Sequence, residues 1–258
     1  MNREQVMAAV KQDGLALQFA PEFHTDREVV MEAVKQDGEA LQFAPVFQQD
    51  REFIMEAVKQ NGLVLEFTDF QDDREVVMAA VKQHGEALEF ADFKDDREVV
   101  MAAVKQHGRS LQYAPDFQDD REVVMAAVHK HGRSLQYAPD FQDDRGVVMA
   151  AVQQNGMALQ FAPTLRSDPE IACAAVRNNL LALDIIDPSL DKNNDFIECM
   201  MKYKIRRIGR RPVLQDHIRD RLKIKVTEKS PPDTLTHEIR YFLGGRTRKQ
   251  KRKRTRRR

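Results

Sequence analysis

The sequence predicts an all-α fold: a helical repeat solenoid of about eight helix-turn-helix units, each 23–24 residues long, then a small α/β-like or irregular C-terminal segment and a disordered basic tail. Three observations predict it. Glycines fall at Gly14, Gly38, Gly62, Gly85, Gly108, Gly132 and Gly156, in steps of 24, 24, 23, 23, 24 and 24, and a further step of 24 reaches Leu180 in a degraded eighth copy. The text around each glycine repeats, so that residues 109–132 match residues 133–156 at 20 of 24 positions. Apolar residues recur in register from copy to copy. A fixed period of this length marks units that bury their apolar faces only by stacking.

Each unit opens with a helix-start signal. Asp72 with Glu75, Asp95 with Glu98, Asp119 with Glu122 and Thr25 with Glu28 have capping-box spacing, and Ser167, Pro169 and Glu170 repeat the signal in the last copy. In such a box the first side chain accepts from an orphan helix N–H and the Glu reaches back. A helix of about eleven residues then runs through V-V-M-A-A-V-K-Q to the glycine, which suits a left-handed position just past a helix end. For the second element a short helix ending at Pro115 is favoured, from Leu111, Ala114 and Phe117 at three and three and the absence of β-branched residues. A short strand, as in leucine-rich repeats, stays open. The two 23-residue steps lack the proline found at Pro21, Pro45, Pro115, Pro139 and Pro163, so the deletion falls where the chain turns over the surface.

Columns separate interior from surface. Val10, Val34, Val58, Val81, Val104, Val128, Val152 and Val176 hold one place, and Leu17, Leu41, Leu65, Leu88, Leu111, Leu135, Leu159 and Leu183 another. Aromatics stack at Phe19, Phe43, Phe67, Phe90, Tyr113, Tyr137 and Phe161. The apolar run of the helix is too wide for one amphipathic face, so neighbours must cover it on two sides.

The pattern D-R-E-V-V-M-A-A-V-K-Q-H-G-R-S-L-Q-Y-A at residues 96–114 resembles the tandem repeats of the family called domain of unknown function 4116. The resemblance covers about residues 1–190. It implies an α-helical repeat protein of unassigned function, of a kind known from algae, other protists, some bacteria and large DNA viruses, and it supplies no catalytic or binding residues.

The chain therefore divides into tandem repeats over 1–190, a capping helix over 191–203, a basic segment over 204–245 and a tail over 246–258. Within the basic segment Leu222, Ile224 and Val226 alternate with Arg221, Lys223 and Lys225 as a half-buried strand would, and 235–243 reads as a short helix before Gly244 and Gly245. The tail carries Arg246, Arg248, Lys249, Lys251, Arg252, Lys253, Arg254, Arg256, Arg257 and Arg258 with no acid, which makes it a targeting or nucleic-acid contact rather than packed structure.

The formal net charge is zero, but residues 1–165 hold 16 basic and 29 acidic side chains and residues 166–258 hold 25 and 12. Neutrality is a cancellation between an acidic array and a basic end. Two cysteines cannot build a disulfide framework, no apolar h-region follows Met1 and no apolar run approaches membrane-spanning length, so the expectation is an intracellular chain, in the nucleus or in a viral factory or virion, without a membrane partner.

Among candidate sites, His84, His107 and His131 share a column in three successive copies. Asp13, Asp37, Asn61, Asn155 and Asn179 share it too, and all three residue types tolerate left-handed backbone, so the bland reading is a helix end with imidazoles near 10 Å apart, too far to share an ion. Met7, Met31, Met55, Met78, Met101, Met125 and Met149 form a column continued by Cys173, which reads as core packing around a structural thiol. The Asp-Asp-Arg-Glu clusters read as capping rather than as paired catalytic carboxylates. With no P-loop, dinucleotide glycine fingerprint, nucleophile elbow, CxxC or HExxH, an enzyme is not expected, and no metal or cofactor is assigned. The expected role is a scaffold or interaction module with an unknown protein partner along the solenoid and an import receptor or nucleic acid at the tail. The alternative is a nucleic-acid-binding protein whose tail makes non-specific phosphate contacts.

Overall fold

The computed structural model describes residues 1–207. Residues Met1–Leu190 form one compact unit, and a second begins at Asp191. The first is the array. Eight ten-residue α-helices, Arg3–Gln12, Arg27–Gln36, Arg51–Gln60, Arg74–Gln83, Arg97–Gln106, Arg121–Lys130, Arg145–Gln154 and Pro169–Asn178, each begin one copy, and each packs against its neighbours in the array. The second element of every copy is a 3-10 helix, such as Gly108–Tyr113 and Gly132–Tyr137, and these also pack on one another in sequence. No strand occurs among the described residues.

The second element is thus helical, as favoured, but of the tighter kind. Gly108, Leu111 and Ala114 recur every third residue, which is the period of a 3-10 helix, and all three are buried. In an α-helix the same spacing would drift off the core. Leu17, Leu41, Leu65, Leu88, Leu111, Leu135 and Leu159 are fully buried beside the helix valines of the same copies, each a side chain whose burial contributes about 1.5–3 kcal/mol.

The glycine does not adopt a left-handed conformation, for no glycine among the described residues has positive φ. It is needed for close approach instead. A Cβ on Gly108 would press into the carbonyl oxygen of Ala127 and sit 3.0 Å from His131 N, and one on Gly156 would do the same to Ala175 and Asn179. The residue before it is extended rather than left-handed, as at His107 with φ −140° and ψ 104°.

The helix cap lies one residue later than the capping-box reading placed it. Asp96, not Asp95, accepts from Glu98 N and Val99 N at 2.9 and 3.2 Å, and Asp26, Asp73, Asp120 and Asp168 do likewise in place of Thr25, Asp72, Asp119 and Ser167. This shift puts the Glu at the second helical position, where it cannot reach back to the cap. Among the described residues only Asn2 with Gln5 completes a capping box.

After the 3-10 helix the proline copies fold another short turn, as at Pro115–Phe117 and Pro139–Phe141. Ala114 has ψ 71° there, whereas Ala91 in a 23-residue copy has ψ 147° and no such turn follows, so the deletion does fall at this surface turn. Gln118 and Gln142 close the turn by donating to Leu111 O and Leu135 O at 3.3 and 3.4 Å, and His24 Nε2 meets Leu17 O at 2.9 Å in the first copy.

The segment over 191–203 expected to cap the stack is helical, over Asn194–Arg207, with Phe196 buried. The strand expected near Leu222, the helix over 235–243 and the tail lie outside the described residues. Neither cysteine is a free thiol, so the structural-thiol reading of Cys173 does not hold.

Candidate interaction surface

The exposed face of the array is built by the stacking itself. At the N-terminal edge of each helix the cap aspartate serves two copies: Asp96 Oδ1 caps its own helix while Oδ2 accepts from Arg74 Nε of the preceding copy at 2.7 Å. Arg74 also donates to Glu98 at 2.6 Å. Arg3, Arg51, Arg97 and Arg145 repeat this fork on Asp26 and Glu28, Asp73 and Glu75, Asp120 and Glu122, and Asp168 and Glu170. Arg27 reaches Asp50 and Glu56, and Arg121 reaches only Asp144, because Gly146 occupies the glutamate position. The D-R-E motif is therefore an intercopy zipper as well as a helix start. The guanidinium holds the carboxyls of Asp26, Asp73, Asp96 and Asp120 below the ordinary aspartate range, assisted by the cap N–H groups. At Asp144 the Val147 N–H is the largest cause of the same lowering.

At the C-terminal edge neutral amides replace charge. Gln106 Nε2 donates to Gln83 O at 3.1 Å, Gln154 Nε2 to Lys130 O at 3.3 Å and Asn178 Nδ2 to Gln153 O at 2.7 Å, satisfying carbonyls that a helix end leaves without partners. The Gly N–H that opens the 3-10 helix finds a side chain of the next copy in three places: His84 Nδ1 for Gly62, Gln154 Oε1 for Gly132 and Asn178 Oδ1 for Gly156.

Between these edges runs the methionine column. It is not core, as the sequence suggested. Met7, Met31, Met55, Met78, Met101, Met125 and Met149 are all half-buried on the outer face, one turn before Lys11, Lys35, Lys59, Lys82 and Lys105 in the first five. None of those lysines makes an ion pair among the described residues, whereas every helix-start arginine from Arg3 to Arg145 does. Ala79, Ala102, Ala126 and Ala150 extend the methionine floor through copies four to seven, where Glu32 and Glu56 stand in copies two and three. An open groove of about 690 Å³ lies here, lined by Met78, Met101, Ala102, Lys82 and Lys105, and a second of about 480 Å³ lies over Met55 and Lys59.

The family model for a domain of unknown function (DUF4116) matches residues 2–48, 50–95, 96–142 and 144–202. The chain belongs to the DUF4116 family. Each of the first three matches spans two of the 23–24-residue copies, so the family's unit is a pair of stacked copies. No curated protein and no solved structure matches the chain. The repeat architecture of this DUF4116 array is that of a family whose function is unknown.

The histidine column is brought together more closely than its spacing suggested. The His107 and His131 rings meet edge to face with centroids 4.7 Å apart, not near 10 Å. His107 Nδ1 lies 3.3 Å from Glu86 Oε1 but out of line for a hydrogen bond, and the Nδ1 atoms of both rings and the hydroxyls of Ser110 and Ser134 are buried without hydrogen-bond partners. Burial, then the neighbouring His107, pushes the His131 imidazole below its ordinary pKa. Among the described residues no three potential metal ligands converge. No helix among them is long and apolar enough to cross a membrane. The ten tail cations from Arg246 to Arg258 lie outside the described residues.

Proposed function

We propose that the protein is a non-enzymatic scaffold whose repeat array binds protein partners along its helix face, with the basic end serving as a targeting or anion-binding segment. One observation supports this reading above the others: successive copies present the same half-buried methionine and the same unpaired lysine at the same place, on helices whose relative positions the arginine and glutamine ladders fix. Such a surface offers many equivalent weak contacts, which suits avidity more than a single deep pocket. The test is affinity purification with the full chain beside a full-length variant whose tail cations are changed to Gln. The reading expects both baits to enrich the same array-bound polypeptides, with only tail-dependent ligands missing from the variant. Enrichment of none by either bait would contradict it.

A second reading rests on the tail, where ten cations occur in the last thirteen residues with no acid. A phosphate-gripping tail would make log affinity for duplex DNA fall with log salt by about 0.9 per phosphate neutralised. Binding that survives deletion of residues 246–258 would sink that reading.

A further inference from the structure

We propose that the methionine–lysine row of copies four to six is the docking surface for an acidic, extended segment of a partner polypeptide that carries apolar side chains about every third residue. The inference rests on the scaffold reading and specifies its surface. Four features of the row lead to it.

The first is the floor. Met78, Ala79, Met101, Ala102, Met125 and Ala126 make a continuous half-buried apolar strip, and the larger groove opens on Met78 and Met101. Methionine is flexible and polarizable, so a row of it accepts different apolar side chains without a fixed pocket shape. The second is charge. Within the groove Glu98 and Glu122 are taken by Arg74 and Arg97, which leaves Lys82 and Lys105 as the ions without partners. Lys130 continues the cationic side in copy six and is exposed. A ligand seated on the strip therefore meets uncompensated positive charge along one side, which selects acidic residues and repels basic ones.

The third is spacing. Packed helices lie about 8–10 Å apart, and an extended polyproline II chain advances about 3.1 Å per residue with three residues per turn, so every third side chain lies on one face and meets an equivalent methionine. The fourth is contrast with the rest of the row. In copies two and three Glu32 and Glu56 replace the floor alanines. Arg27 pairs with Glu56 and leaves Glu52 beside it without an ion pair among the described residues, so each of these copies keeps one uncompensated carboxylate that would oppose the same ligand.

The test uses the full chain as bait for a phage-displayed library of random twelve-residue peptides, followed by affinities of the selected peptides for the wild type, for Lys82→Glu with Lys105→Glu, and for Arg109→Gln with Arg133→Gln on the 3-10 helices. Thermal melts establish that each variant is folded, and Lys82→Gln with Lys105→Gln serves if charge reversal lowers the melting temperature. The proposal expects selected peptides rich in Asp, Glu and large apolar residues, a loss of at least tenfold on reversing the two lysines, and unchanged affinity for the 3-10 variant. Selection of basic or uncharged peptides, or binding insensitive to Lys82 and Lys105, would overturn the surface while leaving the scaffold reading in place. A library that yields no binder overturns both. Loss of duplex-DNA affinity, in place of peptide affinity, on reversing the two lysines would assign the row to a polyanion and overturn the proposal as well.

Discussion

The two edges of the helix array solve the same problem with different chemistry. At the N-terminal edge each helix presents free N–H groups, and a carboxylate that caps them becomes a charge that the preceding copy can bind with arginine. At the C-terminal edge the free groups are carbonyls, and neutral glutamine and asparagine amides bridge them to the next copy. Because the arginines are consumed in this way and the lysines are not, the helix face ends up with one compensated row of charge and one uncompensated row. The contrast teaches that the same net composition can hold copies together at one edge and leave a surface available at the other.

The largest expected effect breaks the close approach on which both edges depend. Gly108→Ala places a methyl group against the Ala127 carbonyl and should cost about 1–3 kcal/mol through overpacking. Gly146→Ala should stabilise by less than about 1 kcal/mol, since that glycine lies in a first helical turn with only the ends of Arg121 and Asp144 near its new Cβ. Denaturant midpoints of the two variants should move in opposite directions; a shared direction would contradict the distinction between intercopy and intrahelix glycines.

At the N-terminal edge, Asp96→Ala removes a cap and should cost about 1 kcal/mol, against less than about 0.5 kcal/mol for the adjacent Asp95→Ala, which faces solvent. Equal costs would return the cap to Asp95. The edges should also separate on acid titration. The cap aspartates have folded pKa values below their unfolded ones, so their stabilisation is present above about pH 3.9 and is lost as pH falls through the lowered values. His131 is also lowered, but as a base it stabilises the fold while neutral; its contribution is complete above about pH 6.5 and declines as pH falls below that value. Melting temperature followed from pH 8 to 3 should show the earlier decline removed by His131→Asn, and an unaltered profile would dissociate it from the histidine pair. A somewhat smaller effect than at Asp96 belongs to Gln106→Ala, which deletes one exposed hydrogen bond to Gln83 O and should cost about 0.5–1 kcal/mol in urea unfolding.

Much of this was legible in the sequence. The repeat, its period, the valine and leucine interior and the turn that absorbs the one-residue deletion follow from register alone, because interior positions in a stack tolerate little variation in volume. Three features were harder to read. Gly108, Leu111 and Ala114 at three and three have the 3-10 period, but a short helical run also fits an α-helix. The glycines permit two explanations, backbone freedom or proximity, and only the neighbouring copy distinguishes them. The methionines lie beside the buried valines in sequence and so read as core, whereas the stacked helices leave that column on the outer face. The arginine ladder could have been found from the D-R-E motif: an arginine kept beside an aspartate at every repeat, with a partner one period away, has a use that capping does not supply.

The central claim is that the cap aspartate of one copy is held by the arginine of the copy before it. A double-mutant cycle between Arg97→Gln and Asp120→Asn, run beside a cycle between Arg97→Gln and Asp119→Asn, tests it directly by urea unfolding at low and high salt. The account predicts a favourable coupling for Asp120 that shrinks as salt rises, and none for Asp119. Zero coupling at Asp120, or equal coupling at both, would contradict it.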